Sequence, residues 1–401
     1  MAEKFYYHLI NQKEVYLRLL FSCLIAVIVL VVPSCTPNET VTAENVSAKS
    51  LKADSSIRYA QRFSIAETDN CKVLFIFGKR DSKDTTATFV LYKGDRQPDL
   101  QFKNSYYINI PVKSIACLSS VYASMLDKMN LLDKVVAIEN ADYYNNTYIL
   151  DKVRSKQIVE IAKSPEINIE KTLILNPGLL LTFGMGNPKD DVHEKILSSK
   201  IPVAVTLDHL EEHPLARAEW IKFIAAFFDK STLADSLFLV TETNYMKLKG
   251  MTDTVHSKPS VLTEIKYADA WYVPGGKSFM AHLLKDAGAN YLWKDENQTG
   301  SIPLNFEQVY KKAGGADYWL NLFVNINTKK DLLAFDERYA LFNAFKTGQL
   351  YNNTLHANDK GYSIYWAEGM TNPDELLADL IAIFHPQLLP QHQLKYYKKI
   401  N

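Results

Sequence analysis

His209 and His213 stand four residues apart, the spacing at which two imidazoles on one helical face share a metal ion. Pro214 follows directly, and the residue before a proline is driven out of helical backbone. The pair is therefore expected in a linker. No further His or carboxylate set completes a bare zinc or manganese site. Pro274-Gly275-Gly276-Lys277-Ser278 ends like a phosphate-binding loop, but Trp271 occupies the place of its first glycine. Gly184-Met185-Gly186 begins like a dinucleotide fingerprint, yet Lys189 replaces the third glycine and Pro188 stands where a helix should open. No Gly-x-Ser-x-Gly elbow occurs. No catalytic residue, resident metal or intrinsic cofactor is expected.

Two other segments resemble each other. Asn168-Ile169-Glu170-Lys171-Thr172-Leu173 leads through Asn-Pro-Gly into the apolar run Leu179–Thr182. Asn305-Phe306-Glu307-Gln308-Val309-Tyr310 leads through Ala-Gly-Gly into the run Tyr318–Phe323. Each reads as an Asn cap, a Glu in the first helical turn, a short helix, a turn and a buried strand. A first-turn carboxylate is favoured by the helix dipole, so local stability alone accounts for each Glu. Two matched anionic knobs would also fit a two-fold symmetric cationic receptor.

The composition excludes several classes. Lys+Arg and Asp+Glu are 45 each in 401 residues, which leaves no basic excess for nucleic acid. A chain that is 47% hydrophobic and 22% charged has enough apolar surface to fold. Long apolar runs do not recur, so a polytopic membrane protein is excluded. The segment 1–35 reads as a targeting signal. Lys4, Lys13 and Arg18 precede the apolar stretch Leu19–Val32, which is shorter than the ~20 residues that span a bilayer. Pro33-Ser34-Cys35 then matches a lipoprotein signal, with cleavage before Cys35 and lipid on its thiol. An uncleaved membrane anchor is the alternative. Cys71 and Cys117 remain, either as a disulfide or as two buried thiols.

The elements follow from patterning. Residues 36–56 are polar and small, a flexible tether. Phe63–Ile65, Val73–Phe77, Thr88–Tyr92 and Tyr106–Ile110 read as strands. Val112–Leu118, a helix capped at Ser119/Ser120, and Val135–Ile138 open a parallel α/β unit. From Pro214 to about Lys249 breakers are almost absent, and apolar positions recur at helical spacing. This predicts one long, stiff helix. The α/β pattern resumes with Ser260–Ile265, Ser278–Ala287 and Tyr318–Val324. Asn372-Pro373-Asp374-Glu375 opens a last buried helix, with Asn372 as its cap.

Val112–Ile138, Asn168–Thr182 and Trp366–Pro386, in this order and spacing, resemble the substrate-binding proteins of metal-chelate ABC importers. Gly178 stands where that family usually has Asp. The resemblance implies two Rossmann-like α/β lobes joined by a single long rigid helix. The segments are then an N-terminal lobe 57–211, a linking helix 212–250 and a C-terminal lobe 251–401. It further implies a monomeric, lipid-anchored receptor in the periplasm or cell envelope. Its partner is an ABC permease dimer with ATPase subunits, which Glu170 and Glu307 dock. Its ligand is a ferric siderophore, haem or cobalamin held between the lobes.

Ligands of open α/β sheets sit beyond the carboxyl ends of strands. That selects Ser119, Ser120, Tyr122, Tyr143, Tyr144, Phe183, Trp271, Tyr272, Tyr365 and Trp366. Aromatic rings grip a planar or greasy chelate with little loss of entropy. These loops hold almost no Arg or Lys, which favours a corrinoid or a neutral chelate. For haem, Tyr143, Tyr144 or His213 are the axial candidates. An extracytoplasmic metal-dependent hydrolase or chelatase, a binder of free zinc or manganese, and a scavenging lipoprotein without permease are the alternatives.

Overall fold

The computed structural model describes residues 51–79, 85–163, 166–322 and 325–401. The signal segment, Cys35 and most of the tether lie outside the described residues.

An antiparallel layer comes first. β1 (Lys52–Ala53), β2 (Phe63–Glu67), β3 (Cys71–Phe77), β4 (Thr85–Tyr92) and β5 (Ser105–Asn109) lie in sequence order, with only β4 and β5 parallel. Strand alternation gives the layer two apolar faces. Leu74, Ile76, Phe89 and Leu91 enter the main core, while Val73 and Val90 are covered by Leu100 and Phe102. Cys71 in β3 is a buried free thiol, as is Cys117 in the next sheet.

That sheet is parallel throughout. β6 (Ile115–Cys117) leads through helix α1 (Ser120–Lys128) to β7 (Val135–Ile138) and β8 (Val159–Glu160). Ser119 caps α1, accepting the Val121 N–H at 3.2 Å. β9 (Ala162–Lys163) and β10 (Glu166–Ile167) pair separately. Helix α2 (Ile169–Leu175) then feeds β11 (Leu179–Phe183), and β12 (Val203–Thr206) follows. The strand order is β12-β11-β6-β7-β8.

The predicted single helix is two. α3 (Pro214–Ala226) ends before α4 (Ser231–Thr252) begins. Asp229 between them takes left-handed backbone at φ 57, and the Lys230 N–H turns back to the Ala225 carbonyl at 3.0 Å. Such a turn ends a helix, and Asp tolerates it better than most residues. Of the residues of α3 only Arg217 escapes burial, so this helix is core on every side. Trp220 and Phe223 pack on Phe63 at 4.7 and 5.6 Å, fastening the antiparallel layer. α4, of 22 residues and about 33 Å, carries the chain from one parallel sheet to the next.

The second parallel sheet holds β13 (Ser260–Thr263), then a small antiparallel flap begun by β14 (Lys266–Tyr267) and β15 (Ala270–Pro274). Helix α5 (Phe279–Asp286), capped by Ser278, precedes β16 (Asn290–Tyr291). β17 (Ser301–Leu304) completes the flap on β15. Helix α6 (Phe306–Ala313), β18 (Tyr318–Leu320) and β19 (Leu350–Asn352) follow. Helices α7 (Glu368–Thr371) and α8 (Pro373–Phe384) lead to β20 (Lys398–Lys399), which pairs antiparallel with β19. The order is β16-β13-β18-β19-β20. Asn372 does not cap α8 as expected. Its side chain donates instead to the Glu368 carbonyl at 2.9 Å, because α7 ends immediately before it.

Candidate functional site

Each parallel sheet has one switch point. In the first, the chain builds β6, β7 and β8 to one side and β11 and β12 to the other, so the crevice opens beyond β6 and β11. In the second it opens beyond β13 and β18.

At the first opening Phe183 and Met185 are 56% and 71% exposed, unusual for such side chains. Phe183 meets the His209 ring edge-on at 5.9 Å. Burial lowers the His209 pKa, which keeps the ring neutral, and its Nδ1 has no hydrogen-bond partner among the described residues. His213 lies apart from it, capping α3 by accepting the Leu215 N–H at 3.1 Å, and its pKa is lowered to about 4 by burial. Arg217 donates to Asp208 at 3.2 Å, lies over the Phe279 ring at 5.8 Å and reaches Met370. It therefore touches elements of both halves, and Asp208 offsets its charge.

At the second opening a cavity of about 270 Å³ is lined by Glu264, Asn321, Asn353 and Thr354, with Tyr272 and Trp366 at hand. Tyr272 and Trp366 are 46% and 52% exposed.

A seam closes the two halves beside the openings. The Tyr143 and Tyr362 rings meet at 4.5 Å. Asn145 Nδ2 donates to the carbonyls of His356 and Tyr362 at 2.9 and 3.1 Å. Asn358 Nδ2 returns to the Asp142 carbonyl at 3.0 Å. Ser120, Tyr143 and Tyr144 line a small void on this seam.

The ten predicted ligand residues thus divide. Phe183, Tyr272 and Trp366 face the openings, Ser120 and Tyr143 the seam, and Ser119 is a helix cap. Four rings are structural instead. Tyr122 is buried, donating to Asp208 at 3.0 Å and bonded to Thr206. The buried Tyr144 hydroxyl donates to Glu139 at 2.6 Å. Trp271 is wholly buried, stacked on Trp319 at 5.6 Å with its Nε1 on the Thr263 carbonyl at 3.0 Å. Tyr365 is wholly buried beneath Trp366, the rings 4.9 Å apart. Along β15 side chains alternate, so Trp271 and Val273 point inward and Tyr272 outward.

Glu264, Asn321, Asn353 and Thr354 escaped the sequence reading. Glu264 and Asn321 fell inside apolar runs read as continuous strands. A polar residue interrupting such a run marks the strand end, and that was the available signal.

Glu170 and Glu307 occupy equivalent places. Each is exposed in the first turn of its helix, α2 or α6. Asn168 accepts the Lys171 N–H at 2.9 Å and Asn305 the Gln308 N–H at 2.8 Å. Glu307 accepts from Arg338 at 3.2 Å, whereas Glu170 has no ion-pair partner among the described residues. Among those residues no three His, Cys, Asp or Glu side chains gather to hold a bare metal ion.

Residues 115–354 match a family profile described as "Periplasmic binding protein". An uncharacterized lipoprotein of Methanocaldococcus jannaschii is 26% identical over 310 residues, covering 74% of this chain and 71% of its own. A possible iron-binding periplasmic solute-binding protein from Staphylococcus epidermidis shares the fold, with TM-score 0.52 and 17% identity, over 69% of this chain and 99% of its own. The periplasmic haem-binding protein RhuT from Roseiflexus does so with TM-score 0.51 and 18% identity, at the same coverage. The strands β1–β5 precede the matched region.

Proposed function

The chain belongs to the periplasmic binding protein family, and from that premise we propose that it carries a metal chelate to an ABC permease. As a substrate-binding protein of the ABC-transporter type it is a solute carrier rather than an enzyme, and it works outside the cytoplasm with permease and ATPase subunits. In the reading advanced here the chelate is a ferric siderophore, haem or corrinoid. It sits between the openings of the two parallel sheets, and a lipid on Cys35 tethers a monomer to the membrane.

One observation carries this reading. Exposed rings and apolar side chains gather at both openings, Phe183 and Met185 at the end of β11 and Tyr272 and Trp366 on the wall of the second cavity. Such surface suits a large, flat or greasy ligand. The neutral imidazole of His209 beside Phe183 is a donor for the ligand or its metal. Glu170 and Glu307 are the docking carboxylates of this reading, presented alike by two helix N-termini.

The test is an absorption spectrum of the mature protein purified from its own host, followed by melting curves with added chelates. Bound corrinoid or haem is visible directly. Ligand at about 100 times its dissociation constant stabilises by ~2.7 kcal/mol. A colourless protein whose melting no corrinoid, haem or ferric siderophore shifts would end the proposal.

A further inference from the structure

The second switch point holds two residues in backbone that side chains avoid. Glu264, just past β13, has φ 63, and Asn321, just past the adjacent β18, has φ 54. Left-handed backbone in residues with a Cβ persists only where the surroundings hold it, and it concentrates at ligand sites. Here it is held firmly. The Glu264 N–H donates to the Leu320 carbonyl at 3.0 Å, and its own carbonyl accepts Trp319 Nε1 at 2.7 Å. Asn321 is fixed by Tyr397, whose hydroxyl donates to Oδ1 at 3.0 Å.

Both residues line the cavity of about 270 Å³ together with Asn353 and Thr354. Thr354 Oγ1 is buried and has no hydrogen-bond partner among the described residues. Buried polar atoms are nearly always paired, so an orphan hydroxyl on the cavity wall points to an atom supplied from outside. No Lys or Arg is among the described residues lining the cavity.

We infer that Glu264, with Asn321, Asn353 and Thr354, forms a hydrogen-bonding subsite for the uncharged amide and hydroxyl periphery of the carried chelate, and that it turns away ligands presenting free carboxylates. This rests on the chelate-carrier reading above and narrows its ligand class.

The electrostatics agree. Burial drives the Glu264 carboxyl up to about 8, with the Asn321 side chain pulling the other way. At neutral pH Glu264 therefore holds its proton and donates to a carbonyl, while the two Asn amides donate and accept. The groups facing it are Asn321, Tyr291 on β16, Tyr365 and Tyr397, and burial pushes all three phenols up. The nearest cation acting on them is Arg217, felt at Tyr365 and already paired with Asp208. A ligand carboxylate in this cavity meets no counter-charge, and an ionised Glu264 repels it further.

Calorimetric titration of the mature protein tests this at about pH 6 and about pH 10, on either side of the Glu264 transition. The probes are cyanocobalamin and a neutral ferric trihydroxamate against haemin and ferric citrate. Binding is expected for one or both uncharged probes only, weakening at the higher pH. E264Q keeps the affinity and loses the pH dependence, whereas E264L and N353A each bind roughly tenfold more weakly. Haemin or ferric citrate binding more tightly than both uncharged probes overturns the inference alone. So does wild-type affinity in E264L with an unchanged melting temperature. Failure of all four probes overturns the carrier reading and the subsite with it.

Discussion

The Glu219 carboxylate, wholly buried on α3, accepts the backbone N–H of Tyr59 at 2.8 Å. The same carboxylate takes the N–H groups of Arg58 and Ala60 at 2.9 and 2.8 Å, and Glu211 takes that of Arg62 at 3.0 Å. Tyr59 and Arg58 then reach Glu242 on α4. The segment before β2 is thereby strapped across both helices. Removing the carboxylate strands three part-buried backbone donors and the buried Lys222 ammonium, 3.5 Å away. E219A is expected to lose about 2–5 kcal/mol of stability, read as a lower urea midpoint. A change near zero would mean that the strap does not hold.

The seam offers a second test. Asn145 and Asn358 cross between the halves in opposite directions. Each neutral hydrogen bond is worth about 1 kcal/mol, so N145A and N358A should each speed ligand release roughly fivefold in stopped-flow dissociation. Global stability should stay within about 1 kcal/mol. Unchanged release rates would remove the seam from the release step.

Docking is separable from binding. Reversing both carboxylates, E170R with E307R, should abolish uptake in cells while titration of ligand into the purified protein is unaltered. R338A frees Glu307 from an exposed ion pair worth about 0–1 kcal/mol, so permease affinity should rise slightly. Uptake surviving the double reversal would exclude these residues as the contact.

Stability should fall as pH rises. The Glu264 carboxyl is raised from 4.5 to about 8 in the fold, and that of Glu139 to about 7, in both cases chiefly by burial. The folded protein therefore holds protons that the unfolded chain releases between these values. The stability they lend is complete below about pH 4.5 and is lost on passing about 7 to 8. Melting temperatures across this range should decline, and E264Q should flatten part of the decline and exceed the wild type at high pH. A flat wild-type profile would contradict the buried-acid description.

Much of the scaffold was legible because it is local. Val135–Ile138 is a bounded apolar run and is β7 without adjustment. Ser119 caps the helix it precedes. Asp229-Lys230-Ser231 was also visible as a polar interruption, yet helical periodicity on both sides masked the break. What lay beyond reach depends on pairing and facing. Four strand runs before Val112 were readable, but not that they form a layer of their own on Trp220 and Phe223. Ring type placed both Trp271 and Tyr272 at the ligand, whereas the two-residue alternation of β15 buries Trp271 and leaves only Tyr272 outward.

The strap has a consequence for how the chain matures. Arg58 and Glu219 lie 161 positions apart. A polypeptide delivered amino-end first, from a ribosome or through a translocation pore, makes β2 to β5 long before α3 arrives to cover them. Phe63 and Phe89, later sealed against Trp220 and Phe223, stay open in the interval. Chaperone capture or self-association competes with maturation during that wait, and the handover ends only when Glu219 emerges.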